Sequence, residues 1–417
     1  MQHKHTRFLL FMLFLVSTVS MTAQDIEPFK KKALLKEIKT YNKAKNPAKT
    51  DETLRKAFTQ YPEAKADAEL MNYEMNAQYE LMLQENRKIY LKTNPDTTKY
   101  FSYVFQTYDY ALRCDSLDQL SVRGPKFSSN LTDKLTSLRN NLRSGGKFHY
   151  KKKNYAQAWP FFDMYLSTIG HPLLTKNAKA TTPLDVDSVE IAQAAVISAY
   201  GASQYQNAVK YLHIAVLDTA NRSLMYELGA KSYEQLQQNL DYVRLLKQGL
   251  AEYPRTEYFY ASLIQYYNEQ ESYHQALDMI NEALAADTLN HKLWYLKGRQ
   301  CQFLSQQDNG LNWQDEALEA YQRVLALQPE NAEAFAAIGE LHLHQAHDFY
   351  EKTDLRIGAA NYSRNRKKLN AFYQQALDAY ESARRLAPDN TQLWLEGLRE
   401  VYYKLGEGKK LRELEKL

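Results

Sequence analysis

Residues 260–283 read YASLIQYYNEQESYHQALDMINEA. Tyr260, Leu263 and Tyr267 recur at steps of three and four, the spacing of one helix face, and Tyr273, Ala276, Ile280 and Ala283 recur in the same way. The stretch predicts two helices in close contact: the small Ala276 lets the first helix approach the second, and large neighbours such as Ile280 fill the space around it. Outward from Ala276 the pattern repeats. Ala208, Tyr242 and Ala276 stand 34 residues apart, and a fixed period of this size marks an array of helix pairs. Ala158 precedes Ala208 by 50, Ala317 follows Ala276 by 41, and Ala376 follows Ala317 by 59. The excesses over 34 predict insertions near 167–187, 303–313 and 346–369.

The residue types at these positions resemble those of the tetratricopeptide-repeat (TPR) family. Trp294, Gly298, Ala317, Tyr321 and Pro329 carry the resemblance in the next copy, and Phe335, Ile338, Gly339, Ala376, Tyr380, Ala383 and Pro388 in the one after it. The prolines stop each second helix. Weaker copies are written in Leu142, Gly146, Tyr155, Ala158 and Phe162, and in Tyr205, Ala208, Leu212 and Ala215. Tyr242 stands where a small residue is usual and Gly249 where alanine is, so the copy over 222–255 is expected to cross differently. The last copy opens at Trp394, passes through Leu398 and Val401, and ends in a polar helix from Lys409 to Leu417 suited to cap the array. The resemblance implies an all-α fold, a right-handed superhelical solenoid of antiparallel helix pairs, with about seven repeats over 141–417. An N-terminal helical region over 24–140, broken at Pro47, Pro62 and Pro95, is open to reading as degenerate repeats. Loops are expected around Gly124 and Pro125, and between Gly170 and Pro183.

Composition agrees with long helices: among 417 residues there are 14 Gly and 11 Pro but 32 Tyr. Lys and Arg number 53 against 49 Asp and Glu, and the resulting formal charge of +4 is too small to point to nucleic acid as a partner. Lys4 and Arg7, the apolar run Phe8–Val16 and the small residues up to Ala23 follow the three-part plan of a secretory signal over residues 1–23. Cleavage is expected after Ala23 or Ser20, lowering the formal charge from +4 to +2 because Lys4 and Arg7 leave with no acid. The alternative, an anchor that is retained, lacks a longer apolar run. No transmembrane segment is expected after cleavage, and the chain is read as exported, to the periplasm or the cell-envelope surface. Cys114 and Cys301 are expected as buried unpaired residues, a disulfide being the alternative.

No phosphate-cradling glycine loop, serine elbow, paired-cysteine zinc spacing or metalloprotease helix occurs, so no catalytic residue, metal or cofactor is expected. Gly145 and Gly146 fall in the repeat register, where Gly146 is the small residue at a helix contact. His342, His344, His347 and Asp348 have metal-like spacing on a helix, but His342 occupies a position that normally holds a core aromatic. The 25-residue excess before Ala376 predicts two lengthened helices, the first running to about Glu351 and the second starting near Ser363. About twelve extra residues on each would carry a hairpin roughly 15–18 Å past the array. Its tip holds Arg364, Arg366, Lys367 and Lys368, read as a solvated basic face or as an arm for an acidic partner or membrane surface.

The resemblance implies that partner segments bind in the concave groove formed by the first helices, at Tyr258, Gln265, Asn268, Tyr295, Arg299, Gln302, Glu340 and His344. The Lys and Asn carboxylate clamp of chaperone-binding relatives is replaced here by Ala261 and Gln265. The reading is a non-catalytic interaction scaffold of the cell envelope, holding other envelope proteins or peptides. An exported glycan- or peptide-binding protein is the alternative, suggested by the tyrosines, although Tyr267, Tyr273, Tyr321 and Tyr380 fall on core positions.

Overall fold

The structure, a computed structural model, describes residues 29–175, 186–307 and 312–416. The expected signal segment over 1–23 lies outside these residues, as do Leu417 and the parts 176–185 and 308–311 of the predicted insertions at 167–187 and 303–313. The described elements are helical: α1 (Lys31–Lys43), α2 (Pro47–Gln60), a 3-10 turn (Pro62–Ala66), α3 (Ala68–Leu91), α4 (Thr97–Asp118), α5 (Ser128–Lys151), α6 (Tyr155–Ser167) and α7 (Pro172–Thr175) come first. They are followed by α8 (Val186–Gly201), α9 (Tyr205–Lys210), α10 (Leu212–Ala215), α11 (Arg222–Gln235), α12 (Asn239–Glu252), α13 (Glu257–Glu269) and α14 (Tyr273–Ala286). The last are α15 (His291–Gln307), α16 (Trp313–Leu327), α17 (Ala332–Lys352), α18 (Tyr362–Leu386), α19 (Leu395–Leu405) and α20 (Gly408–Leu414).

Two compact units result, Met1–Gly145 with Ser167–Thr181, and Gly146–Leu166 with Thr182–Leu417. In the first, each proline break carries a helix start: Pro47 opens α2 behind Asn46, whose side chain accepts from the Lys49 N–H at 3.2 Å, and Asp67 caps α3 by accepting from Glu69 and Leu70. The long pair α3 and α4 buries Met71, Met75, Tyr100, Val104 and Tyr108, and the Tyr108 hydroxyl donates to the Leu135 carbonyl of α5 at 2.5 Å. Cys114 is buried and free, with its thiol pushed up to about 12 by burial. The loop after α4 is closed by Asp118, whose carboxylate accepts from the Lys126 and Phe127 N–H groups, so α5 begins at Ser128, inside the stretch read as loop. Glu74 is fully buried. Its Oε1 accepts from Gln78 Nε2 at 2.7 Å, the same nitrogen donates to Asp51 at 2.8 Å, and burial and Asp51 both push the Glu74 carboxyl well above its ordinary range.

In the second unit, consecutive helices pair in the register read from the sequence. A Cβ on Gly298 of α15 would lie 2.7 Å from Tyr321 Cδ1 and Cζ of α16 and nearer still to Cε1, and Gly339 of α17 meets Tyr380 of α18 at 2.9 Å. Gly146 is covered by Phe162 in the same way. Tyr242, at the position usually small, is buried, and α12 approaches α13 instead at Gly249, where Phe259 covers the missing side chain. The second helix of the copy at 205–215 is split at Tyr211, whose hydroxyl donates to Asp163 Oδ1 at 2.8 Å. Cys301 is buried and free, its thiol likewise pushed up to about 12 by burial.

The turns inside the pairs share one closure. Lys153, Ser203, Gln237 and Glu271 each adopt a left-handed backbone with φ of 54–58°. The N–H after each reaches back five residues, as from Asn154 to the His149 carbonyl and from Ser272 to that of Tyr267. Gly406 does the same between α19 and α20, and so do Lys45 between α1 and α2 and Lys92 between α3 and α4, so the N-terminal unit carries turns of the repeat type as well. The capping helix α20 is polar but anchored by the buried Leu414.

α17 has 21 residues against 13 in α13, and α18 has 25 against 14 in α14. At 1.5 Å per residue the extensions are about 12 and 16 Å. They enclose a small core of their own, with Ala346 and Leu369 buried and the Phe349 and Phe372 rings 5.9 Å apart. α19 flanks its base, where His347 Nε2 lies 2.6 Å from Glu400 and Lys404 sits over the Tyr350 ring.

Candidate functional site

The first helices α5, α8, α11, α13, α15, α17 and α19 share one register, and the residues facing the groove can be placed one by one. Tyr258 is half-buried with Lys231 Nζ 4.9 Å over its ring, and burial raises its hydroxyl pKa. Gln265 is exposed and donates to Glu269 on its own helix. Asn268 is half-buried. Tyr295 packs 5.7 Å from Tyr321. Arg299 Nη1 lies 2.7 Å from Glu340 Oε2, and although burial alone would lower its pKa, Glu340 together with Tyr321 and Tyr295 outweighs that and raises it.

Gln302 corrects the sequence reading: it is 5% exposed and accepts from the Tyr321 hydroxyl at 2.5 Å, so it belongs to the core. A buried tyrosine hydroxyl needs an acceptor, and Gln302 supplies it. This half of the groove is therefore largely committed to itself, with Arg299 bound to Glu340 between α15 and α17.

The histidines diverge. His342 is buried, with Nδ1 2.8 Å from Gln345 and its pKa lowered by burial; His347 faces Glu400; Asp348 accepts from Gln314 at 3.1 Å; His344 is half-buried. Among the described residues no group of three or more metal-ligating side chains is brought together. At the hairpin, Arg364, Arg366, Lys367 and Lys368 are exposed, Lys368 lying 5.1 Å over the Phe349 ring. Beside them Arg356 pairs with Asp354, and Ile357 is 90% exposed.

The groove opens at its other end. A cleft of about 580 Å³ lies between α5, α8 and α11, floored by Tyr150, Phe162, Ile197 and Met225 and rimmed by Lys147, Lys151, Leu224 and Asn221. The sequence reading passed over it, yet the register contains it. Gln265 precedes Ala276 by eleven residues, and the same step before Ala208 and Ala158 gives Ile197 and Lys147. Tyr258 precedes Ala276 by eighteen, and the same step before Tyr242 gives Leu224. A second cleft of about 560 Å³ near the C-terminus is lined by Glu396, Arg399, Glu400 and Tyr403, but Arg399 pairs with Glu396 and Glu400 with His347.

The packing register makes the second unit an array of helix pairs, the arrangement that the tetratricopeptide resemblance implied. No family model matches the sequence, and no curated protein does. Among solved structures the chain is similar to a TPR repeats protein from Bacteroides fragilis, at 19% identity over 64% of this chain and 98% of that one, with a TM-score of 0.32. It is also similar to the C-terminal part of a TPR repeat-containing protein from Cytophaga hutchinsonii, at 16% identity over 62% and 99%, TM-score 0.35. A third likeness is to YrrB, described as a TPR protein with an unusual peptide-binding site, at 15% identity over 53% and 95%, TM-score 0.34.

Proposed function

We propose that the chain is a non-catalytic scaffold of the cell envelope that holds segments of partner proteins against the concave face of its first helices. The observation that carries this is a division of labour: second helices spend large side chains on the core, as Tyr321 on Gly298, while the first helices α5, α8 and α11 border an open cleft. Export rests on the signal-like pattern of residues 1–23. The glycan-binding alternative loses the stacking faces of Tyr260, Tyr267, Tyr321 and Tyr380, which are buried; Tyr273 is half-buried and stacks on Phe303.

The test is affinity capture from the source organism's envelope extract by the tagged chain, compared quantitatively with a variant lacking 352–368 and with one bearing charge reversals in the groove. Partners depleted by the groove variant support the reading, and a recovered set identical for all three sinks it. N-terminal sequencing of chain recovered from the envelope fraction checks export; an intact Met1 in a cytoplasmic fraction would refute it.

A further inference from the structure

We infer that the groove reads its ligand at the cleft between α5, α8 and α11, and that the ligand is a protein segment placing a large apolar side chain beside a carboxylate. This rests on the groove reading above and makes it specific. The cleft volume of about 580 Å³ falls within the range of about 300–1,000 Å³ that ligand pockets occupy. Its floor is apolar, and Leu224 on the rim remains 42% exposed, an apolar surface that a folded chain gains by covering.

The charge on the α5 wall selects the second half of the ligand. Lys147 and Lys151 stand one helical turn apart on one face, and both line the cleft. Lys147 Nζ lies 2.7 Å from Glu190 Oε1, but that carboxylate is 56% exposed, so the pair is solvent-screened and a ligand carboxylate can replace it at small cost. Across the cleft the wall is fixed: Asn221 Nδ2 donates to Gln193 Oε1 at 3.2 Å, and Gln193, 8% exposed, donates in turn to Asp218 and the Ala215 carbonyl. The Asn221 amide is thus held at the rim, placed for the backbone of an extended segment.

The experiment is fluorescence polarisation of the full chain with three dye-labelled peptide sets that share a central Leu or Phe flanked by Asp/Glu, by Ser, or by Lys/Arg. The expected result is selection of the acidic set, with binding weakened about ten-fold or more by Lys147→Glu with Lys151→Glu, as loss of charge-assisted contacts implies. The same double variant should gain the basic set, which shows that it is folded. Replacing Arg364, Arg366, Lys367 and Lys368 by Glu should leave binding unchanged. Acidic-set binding that survives in the α5 variant but is lost in Arg299→Ala with Glu340→Ala overturns the cleft and keeps the groove. No selection among the three sets overturns both, and self-association abolished by the α5 variant would make the occupant a second copy and overturn the acidic segment.

Discussion

Gly298→Ala should destabilise the α15/α16 pair although alanine is the better helix former. The added Cβ would sit 2.7 Å from Cδ1 and Cζ of Tyr321 and closer to Cε1, where carbon contacts settle at about 3.5–4.0 Å. The ring or the helix must therefore give by about 1 Å. Tyr321 is fully buried, its hydroxyl is tied to Gln302 at 2.5 Å and its ring lies 5.7 Å from Tyr295, so it cannot swing away alone. Overpacking of this kind costs about 1–3 kcal/mol, offset by about 1 kcal/mol of helix propensity. The net loss of up to about 2 kcal/mol speeds local opening by a factor of up to about 30. Hydrogen exchange of peptides from 291–327 reads this directly. Two controls make the reasoning strict. Gly408→Ala, where nothing lies within 4 Å of the new Cβ, should be neutral or slightly stabilising. Adding Tyr321→Leu to Gly298→Ala should cost less than the sum of the single changes, because an alanine facing a leucine is the combination at Ala230 and Leu246, in the same register of the second unit. Unchanged protection in Gly298→Ala, or strict additivity in the double variant, would refute the packing argument.

Glu271→Gly relieves a left-handed backbone of φ 54° and should be neutral or stabilise by up to about 1 kcal/mol, whereas Glu271→Val should destabilise by more than that; urea midpoints monitored by circular dichroism decide between them. Glu74 keeps its proton in the fold because burial raises its pKa, so its contribution to stability is complete below the ordinary value of 4.5 and is lost as pH rises. Glu74→Gln should accordingly be more stable than the parent at pH 8, on the order of 2 kcal/mol, with the difference closing toward pH 5 in matched denaturation series. His342 is held neutral by burial, with its pKa below 6.5, so it contributes stability in full above pH 6.5 and loses it as pH falls toward the folded value. His342→Phe should flatten the melting temperature between pH 6.5 and 5, and an identical acid limb would rule His342 out as a source of it.

What the sequence revealed and concealed follows from what each repeat spends its residues on. Core positions announce themselves because a tyrosine facing a glycine leaves few substitutes, and Gly298 with Tyr321 was legible for that reason. Turn positions did not. Lys153, Ser203, Gln237 and Glu271 carry no glycine signal, since the long reach-back hydrogen bond imposes the left-handed backbone on whatever residue is there. Gln302 was misplaced because helical spacing alone puts it on the groove face, while the need of the buried Tyr321 hydroxyl for an acceptor draws it inward. The open cleft was not legible because the copies that build it depart from the family pattern.

The same register explains why those departures are tolerated. Twelve residues before the small position of each second helix, after insertions are removed, stand Gly146, Val196, Ala230, Ile264, Gly298 and Gly339. Four residues after it stand Phe162, Leu212, Leu246, Ile280, Tyr321 and Tyr380. Glycine faces an aromatic ring in three copies, and an aliphatic faces an aliphatic in the other three. The two positions vary jointly: where the first is glycine the second is an aromatic ring, and where the first carries an aliphatic side chain so does the second. Each copy thus satisfies its core with one matched pair, and the groove position eleven before the small residue is released from packing: it is Lys147, Ile197, Lys231 and Gln265 in successive copies. A chain built this way varies its groove chemistry repeat by repeat while the fold stays fixed. That freedom is why the cleft beside Lys147 and Ile197 differs in charge and shape from the self-paired groove beside Arg299.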